Sequence, residues 1–247
     1  GLLQAGQQSP WVGGDIGRQD HANDNGNIAS GEVGDAYGVT DNLTLKLAPG
    51  RTYTSNTAIY DSKTTLRGTY VMPEVIYAIP ETSLHASASL YYNAGDANIS
   101  RGYLNAGTLV QSLGRADADM VALRLRLDWL DAFKLNAISL TPYTSVTRSR
   151  SHIAAYTETG GGFPVQWDSR TEYSLQGRLG LDGVYAVNSS INLLARLEAA
   201  HRFEQHSSGA EGQILGLNRF NIEGNNYRQD WLRAGIGLDG NLGKCIA

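Results

Sequence analysis

The stretch that most constrains the fold is residues 120–129, which read Met-Val-Ala-Leu-Arg-Leu-Arg-Leu-Asp-Trp. Apolar and polar side chains alternate here with a period of two, which indicates a β-strand with one apolar and one polar face. The apolar face must therefore meet either a protein core or lipid. Its members are Val121, Leu123, Leu125, Leu127 and Trp129, and the polar face carries Ala122, Arg124, Arg126 and Asp128.

Composition excludes several classes of protein. The 247 residues carry a net charge of −4, so there is no electrostatic argument for a nucleic-acid partner. No apolar run reaches the roughly 18 residues that a transmembrane helix needs. The first residues, Gly-Leu-Leu-Gln, lack the regions of a signal peptide, so we expect a mature or excised fragment. A single cysteine, Cys245, makes neither an internal disulfide nor a metal cluster.

The alternation of residues 120–129 recurs along the whole chain, so we predict ten antiparallel strands. The connections between them alternate between long and short. The predicted strands are 11–18, 33–40, 43–47, 64–78, 84–92, 120–129, 138–146, 171–185, 191–202 and 232–239. The long connections are 19–30, 55–63, 93–115, 148–168 and 204–226. The short ones are 41–42, 79–82, 130–136 and 187–190, and a last turn is predicted at 240–243.

A soluble β-sandwich has no reason to alternate its loops in this way. Outer-membrane barrels do, because short turns lie on the periplasmic side and long loops lie outside the cell. We therefore predict an all-β, antiparallel, up-and-down transmembrane barrel. The predicted lipid-facing residues are Val121, Leu123, Leu125, Leu127, Leu193, Leu197, Leu232 and Ile236. Aromatic residues near strand ends predict an interfacial girdle of Trp11, Tyr77, Tyr92, Trp129, Tyr185 and Trp231.

Arginine dominates the polar faces, with scattered carboxylates. This mixture suits a hydrated lumen crossed by arginine–carboxylate pairs. Two interpretations stay open: the charges hold a chain that passes through the lumen, or they only pair with each other and keep the lumen hydrated. The predicted lumen-lining residues are Glu74, Arg124, Arg126, Asp128, Arg178, Asp182, Arg196, Glu198, Arg202, Arg233 and Asp239.

The sequence carries little that indicates catalysis. It has no G-x-S-x-G motif, and its five histidines are scattered without the spacing of metal ligands. The triplet Gly160-Gly161-Gly162 lacks the strand and helix context of a phosphate-binding loop. We therefore predict no enzymatic activity, no metal and no cofactor.

Four groups of residues occur in a familiar order: Tyr37-Gly38-Val39, Tyr70-Val71-Met72-Pro73-Glu74, Tyr156-Thr157-Glu158 before the glycine triplet, and Asn218-Arg219-Phe220 with Glu223-Gly224. In this order and spacing the chain resembles the translocator domain of autotransporters, the type V secretion proteins of Gram-negative bacteria. The last group is similar in particular to the esterase-bearing autotransporters. The resemblance covers residues 11–242.

The resemblance implies a twelve-stranded outer-membrane barrel that passes an N-terminal passenger and anchors it at the cell surface. It also implies a linker helix in the lumen, and contacts with periplasmic chaperones and the barrel-assembly machinery. Any hydrolase activity would belong to the passenger. We expect residues 1–10 to be a remnant of the linker and residues 11–247 to be the barrel without its last two strands, since ten strands are visible and no terminal aromatic residue is present. The alternative is that one of the long loops contains a further hairpin.

Two alternatives belong to other classes. One is an outer-membrane pore or adhesin whose external loops bind ligands, which a linker helix upstream of residue 11 would disfavour. The other is a soluble all-β binding module, which extraction without detergent would reveal.

Overall fold

The computed structural model describes residues 2–21, 24–188 and 191–240. Within these ranges the chain forms fifteen strands and one short 3-10 helix, Ile59–Asp61. The strands are β1 Gln8–His21, β2 Asp24–Thr40, β3 Leu43–Thr57, β4 Lys63–Ala78, β5 Leu84–Asn105, β6 Thr108–Trp129, β7 Phe133–Leu135, β8 Ile138–Ile153, β9 Tyr156–Thr157, β10 Val165–Trp167, β11 Arg170–Ala186, β12 Ile191–Arg202, β13 Ala210–Ile214, β14 Arg219–Ile222 and β15 Asp230–Gly240.

Ten strands form one antiparallel meander in the order β1-β2-β3-β4-β5-β6-β8-β11-β12-β15, and the short β7 folds onto β8. These ten correspond one for one to the ten predicted strands, and the predicted all-β antiparallel fold class is confirmed. Within the described part of the chain, no pairing joins β1 to β15. The same ranges contain no helix with the length and apolarity to cross a bilayer. The described ranges do not include residues 22–23 and 189–190, which belong to two predicted connections. They also do not include residues 241–243 of the predicted turn at 240–243, or Cys245.

The predicted loops 19–30 and 93–115 are wrong, because strands run through them. β5 and β6 are each 22 residues long and meet at a turn formed by Ala106 and Gly107. Both turn residues have positive φ, 48° and 84°, as the tight turns that match hairpin twist require. Small and polar residues outnumber large apolar ones on both faces of this outer part of the hairpin. The apolar alternation that signals a strand is therefore absent there.

The predicted loops 148–168 and 204–226 also contain strands. β8 continues to Ile153, and four short strands form a second sheet in the order β14-β13-β10-β9, which we call the outer sheet. β10 lies between β8 and β11 in sequence, and it pairs with β13 from the next long connection. A bridge between Leu113 and Thr159 ties the outer sheet to β6. The long connections are therefore joined to one another at this end of the structure.

A buried carboxylate fastens the outer sheet to the β5–β6 hairpin. Glu158, 2% exposed, accepts hydrogen bonds from Arg101 Nε (2.9 Å), Arg101 Nη2 (2.7 Å) and Trp167 Nε1 (3.0 Å). The backbone N–H of Val165 donates a further bond to it at 3.0 Å. Burial alone would raise the pKa of Glu158, but the hydrogen bonds from Arg101 and Trp167 outweigh it and hold that pKa below its usual range.

The outer face of the main sheet is an apolar band. On β6 it covers residues 121–129, about 30 Å of strand, which is the length that a tilted strand needs to cross the hydrocarbon core. Charged side chains lie on the same face toward the hairpin end of the band, where Arg148 is the ladder partner of Leu123, Asp119 pairs with Arg150 (3.3 Å) and Asp96 pairs with Arg115 (3.4 Å). The eight predicted lipid-facing residues all lie on this face, and every one except the half-buried Val121 is exposed.

The opposite face is polar, and the sheet curls toward it. Side chains from strands two places apart meet there: Tyr70 of β4 donates to Glu32 of β2 (2.7 Å), and Tyr143 of β8 donates to Glu198 of β12 (2.6 Å). Neighbouring strands are about 4.8 Å apart, so such contacts require curvature toward the face that makes them. We call this polar side the inner face.

Two of the six predicted girdle residues are on the wrong face. Trp11 lies on the inner face, where its Nε1 donates to Glu32 (3.1 Å) and its ring covers Gly34, which has no side chain to obstruct it. Trp231 pairs with Ala200, which pairs with the inner-face residue Arg178. The other four lie exposed on the outer face, at Tyr77, Tyr92, Trp129 and Tyr185.

We expect Leu125→Arg to destabilise the folded protein in lipid vesicles by about 2–4 kcal/mol, because it places a charge in the middle of the apolar band. The measurement is guanidinium unfolding. Leu109→Arg is the matched control, since Leu109 lies on the same face of β6 beyond the band and is similarly exposed (44% against 49%). Equal costs at the two positions would show that the band does not contact lipid.

We expect Glu158→Gln to weaken the outer sheet by roughly 2–3 kcal/mol, because it leaves Arg101 without its buried partner. Amide hydrogen exchange of β10 reports this local opening. Breaking the exposed Arg115–Asp96 pair with Arg115→Gln is the control and should cost less than about 1 kcal/mol. Similar protection of β10 in both variants would contradict the role of Glu158.

The buried Glu158 carboxylate also predicts that the stability of the outer sheet depends on pH. A carboxylate whose folded-state pKa is depressed stabilises the fold above its unfolded-state pKa, and the contribution disappears as the pH falls through the folded-state value. The difference in β10 protection between the wild type and Glu158→Gln should therefore be largest at neutral pH, begin to shrink near about pH 4, and vanish only in stronger acid, below the depressed folded-state pKa of Glu158. A difference that persists there would exclude ionisation of Glu158 as its source.

Candidate functional site

The inner face carries the residues that the sequence singles out as polar lining. The structure places all eleven of them on this face, in rows that cross the sheet. One row runs from Glu74 through Ser89 to Arg124, and another pairs Glu198 with Arg233. The eleven are Glu74, Arg124, Arg126, Asp128, Arg178, Asp182, Arg196, Glu198, Arg202, Arg233 and Asp239.

The centre of the site is an ion cluster of two arginines and two aspartates. Arg126 of β6 bonds to Asp128 through Nε (2.9 Å) and reaches across β8 to Asp182 through Nη2 (2.8 Å). Arg196 of β12 binds both oxygens of Asp182, at 2.6 and 2.8 Å. Asp182 and Arg196 are direct partners in the β11–β12 ladder, so the backbone register itself sets this bidentate pair.

Tyr143 links this cluster to a second one. The Arg126 guanidinium lies 3.6 Å from the centre of the Tyr143 ring, and the Tyr143 hydroxyl donates to Glu198. Glu198 also accepts from Arg178 Nη1 at 2.9 Å. The ring covers Gly180, where an added Cβ would overlap it. Tyr143 is not among the residues that the sequence predicts to line the lumen. A tyrosine opposite a glycine is the signal that could have identified it.

Two further ion groups lie along the same face. Glu74 lies 3.5 Å from both Lys46 and Arg124. Arg202 lies 3.4 Å from Glu172, and its guanidinium is 3.6 Å from the centre of the Tyr227 ring. Lys46 and Glu172 are not in the predicted set. Both occupy inner-face positions in their strands, and only the ladder register shows which charges they meet.

Arg233 and Asp239 behave differently. Both lie on β15 and are exposed, and neither forms an ion pair with any described residue. Asn192 donates a long hydrogen bond to Asp239 at 3.5 Å. The structure therefore brings nine of the eleven predicted residues into paired groups and leaves the two on β15 outside them.

The N-terminal segment lies against the inner face at the end of the sheet that carries the short turns. The backbone N–H of Leu3 donates to the Thr44 hydroxyl at 2.9 Å. Leu2 lines a cavity of about 450 Å³ together with residues of the central cluster and the Glu74 group. Leu2, which precedes β1, thus forms part of the wall of this cavity.

Chemically, the inner face offers guanidinium–carboxylate pairs and hydroxyl groups. Among the described residues, no group of three or more His, Cys, Asp or Glu side chains could hold a metal ion. Paired charges of this kind keep a wall polar and hydrated. Of the two interpretations left open by the sequence, mutual pairing accounts for nine of the eleven residues.

The comparisons with known proteins agree with this architecture. The model of the autotransporter beta-domain matches residues 10–246. A search of curated proteins finds no match. Among solved structures, the chain is similar to the translocator domain of autotransporter NalP from Neisseria meningitidis, with a TM-score of 0.68 and 15% sequence identity over 95% of this chain and 86% of that one.

At 15% identity the likeness to the NalP domain shows a shared fold. The family match rests on the sequence and spans nearly the whole chain. This chain belongs to the autotransporter beta-domain family and is therefore a translocator domain that inserts in an outer membrane.

Proposed function

We propose that this β-domain holds the linker of an N-terminal passenger in its lumen and anchors that passenger at the surface of a Gram-negative bacterium. Membership of the family already implies a passenger and an outer-membrane context. The observation that carries the finer proposal is the position of residues 2–7. They precede β1 and lie against the inner face, where a chain that runs through the lumen has to lie.

The proposal includes an orientation. The short turns at 41–42, 79–83 and 130–137 face the periplasm, and the extended hairpins and outer sheet lie outside the cell. The apolar band then contacts lipid through Val121, Leu123, Leu125, Leu127, Leu193, Leu197, Leu232 and Ile236. The residues of the paired inner-face groups, with Arg233 and Asp239, line the lumen.

In this proposal the paired clusters serve as a rigid polar wall. Arg126, Asp128 and Asp182 are only 13%, 16% and 22% exposed in their side chains, and each satisfies the charge of another. A wall whose charges are paired stays wet without binding a passing chain tightly. This suits a lumen through which a chain has to move.

Three parts of the proposal come from the family resemblance. The chain itself performs no catalysis, and any hydrolase activity belongs to the passenger, whose esterase type stays a prediction. Periplasmic chaperones and the barrel-assembly machinery are partners during insertion. Residues 1–10 belong to the linker and 11–247 to the barrel, although β1 already begins at Gln8.

We expect Arg126→Leu to lower surface display of an epitope-tagged passenger by about tenfold, because it leaves Asp128 and Asp182 short of a buried partner at a cost of roughly 3 kcal/mol or more. Display is measured by antibody binding to intact cells. Arg124→Leu should have a smaller effect, since its contact with Glu74 is longer (3.5 Å) and Lys46 remains beside that carboxylate.

Arg233→Leu is the matched control. It makes the same substitution on the inner face, at an arginine without an ion pair in the described ranges. Display equal to that of the wild type in Arg126→Leu would exclude a role for the central cluster. Absence of display in the wild type itself would overturn the proposed function.

A further inference from the structure

The segment that precedes β1 folds back on itself in a specific turn. The backbone N–H of Gln7 donates to the Gln4 carbonyl at 3.0 Å, which closes a β-turn over Gln4–Gln7. Gly6, the third residue of the turn, has φ +80°. A type II turn requires positive φ at that position, which glycine adopts without strain. The turn directs Leu3 and Leu2 away from β1 and along the inner face.

Three residues at the bend between β2 and β3 receive this turn. Gly6 N–H donates to the Gly38 carbonyl (2.8 Å), and Gly38 N–H donates to the Gln7 carbonyl (2.9 Å). The Asp41 carboxylate accepts from the N–H of Ala5 at 3.0 Å. The Thr44 hydroxyl, fully buried, accepts from the N–H of Leu3.

Gly38 leaves room for the turn because it has no side chain. A Cβ built at Gly38 would overlap the carbonyl group of Gln4 and lie 3.1 Å from the carbonyl oxygen of Leu3. These are backbone atoms, so a side chain at position 38 could be accommodated only if the segment moved. The φ of Gly38 is not positive, so the glycine is required by the close approach of two chains rather than by its own conformation.

All four hydrogen bonds go to the main chain of the segment. The N–H groups of Leu3, Ala5 and Gly6 and the carbonyl of Gln7 are the groups held. The side chains of Gln4 and Gln7 bond only within the turn, at 3.0 and 3.5 Å. The contacts therefore select a backbone shape, in which position 6 favours glycine, and they do not involve the side chains of the other residues.

We propose that Gly38, Asp41 and Thr44 form a docking site for the main chain of the passenger linker, at the short-turn mouth of the lumen. The inference deepens the proposed function and rests on it. The three are positioning residues: they hold the linker against the lumen wall where it joins β1. Gly38 belongs to the Tyr37-Gly38-Val39 group that carries the family resemblance, and the docking site gives that glycine a physical reason.

The test measures the position of the linker directly. In a Cys245→Ser background, Leu3→Cys supplies a single thiol next to the docking site, and its rate of reaction with a small maleimide is followed in the folded, detergent-solubilised protein. Gly38→Ala should raise this rate about tenfold, because release of the turn exposes the thiol. Thr44→Val removes one hydroxyl acceptor with little change of shape and should raise it about threefold.

Gly31→Ala is the matched control, since Gly31 is on the same strand and a Cβ there meets nothing within 4 Å. Its labelling rate should equal that of the parent. Gln4→Ala with Gln7→Ala should also leave the rate within about twofold if the main chain is what is held. Migration of unheated samples in gels shows which variants are folded. If Gly38→Ala does not fold, Thr44→Val decides.

Unchanged labelling in the folded Gly38→Ala or Thr44→Val variants would overturn the docking site. A large increase in the labelling rate of the Gln4→Ala, Gln7→Ala variant would also overturn it, because it would show that the side chains of these residues hold the linker. Surface display by the wild type distinguishes failure of the docking site from failure of the proposed function. Normal display with unchanged labelling refutes the docking site alone, and absent display refutes the proposed function.

Discussion

The structure depends on one constraint: in lipid, each backbone N–H and C=O must find its partner within the protein. The antiparallel meander meets it by pairing each central strand on both sides. Side chains then have only two directions, and the environment sorts them into the apolar band and the inner face. The same constraint applies to the backbone groups at the edges of β1 and β15. On the outer face of these two strands, Ile16 and Ile236 are among the most exposed apolar side chains, at 94% and 89%.

The inner face shows how a sheet carries many charges by grouping most of them in ion pairs. Its central contacts join strands that are not neighbours, as when Arg126 of β6 reaches Asp182 of β11 across β8. Tyr143 supplies a ring for the guanidinium and a hydroxyl for Glu198, and it fits because residue 180 is glycine. The clusters thus depend on curvature, and they in turn resist flattening of the sheet, since flattening would separate their members.

The sequence predicts well wherever the two faces of a strand meet different environments. Residues 120–129 show their faces plainly, so the strand, its two sides and the ten-strand order follow from the pattern. The pattern fails where neither face is consistently apolar, as in the outer halves of β5 and β6, whose sequences resemble loops. The alternation of apolar and polar residues also does not indicate which side chains pair across strands. Arg101 and Glu158 are 57 residues apart, and neither has a sequence signature of pairing. The docking of residues 2–7 depends on the space above Gly38, which only the folded chain reveals.

The hairpin of β5 and β6 continues for about a dozen residues above the apolar band, roughly 40 Å at the rise of a β-strand. In the proposed orientation, a passenger that has crossed the hydrocarbon core still has this wall beside it. An extended chain covers that distance with about twelve residues. A tether that follows this wall to the tip of the hairpin is therefore about twelve residues longer than one that spans the bilayer alone.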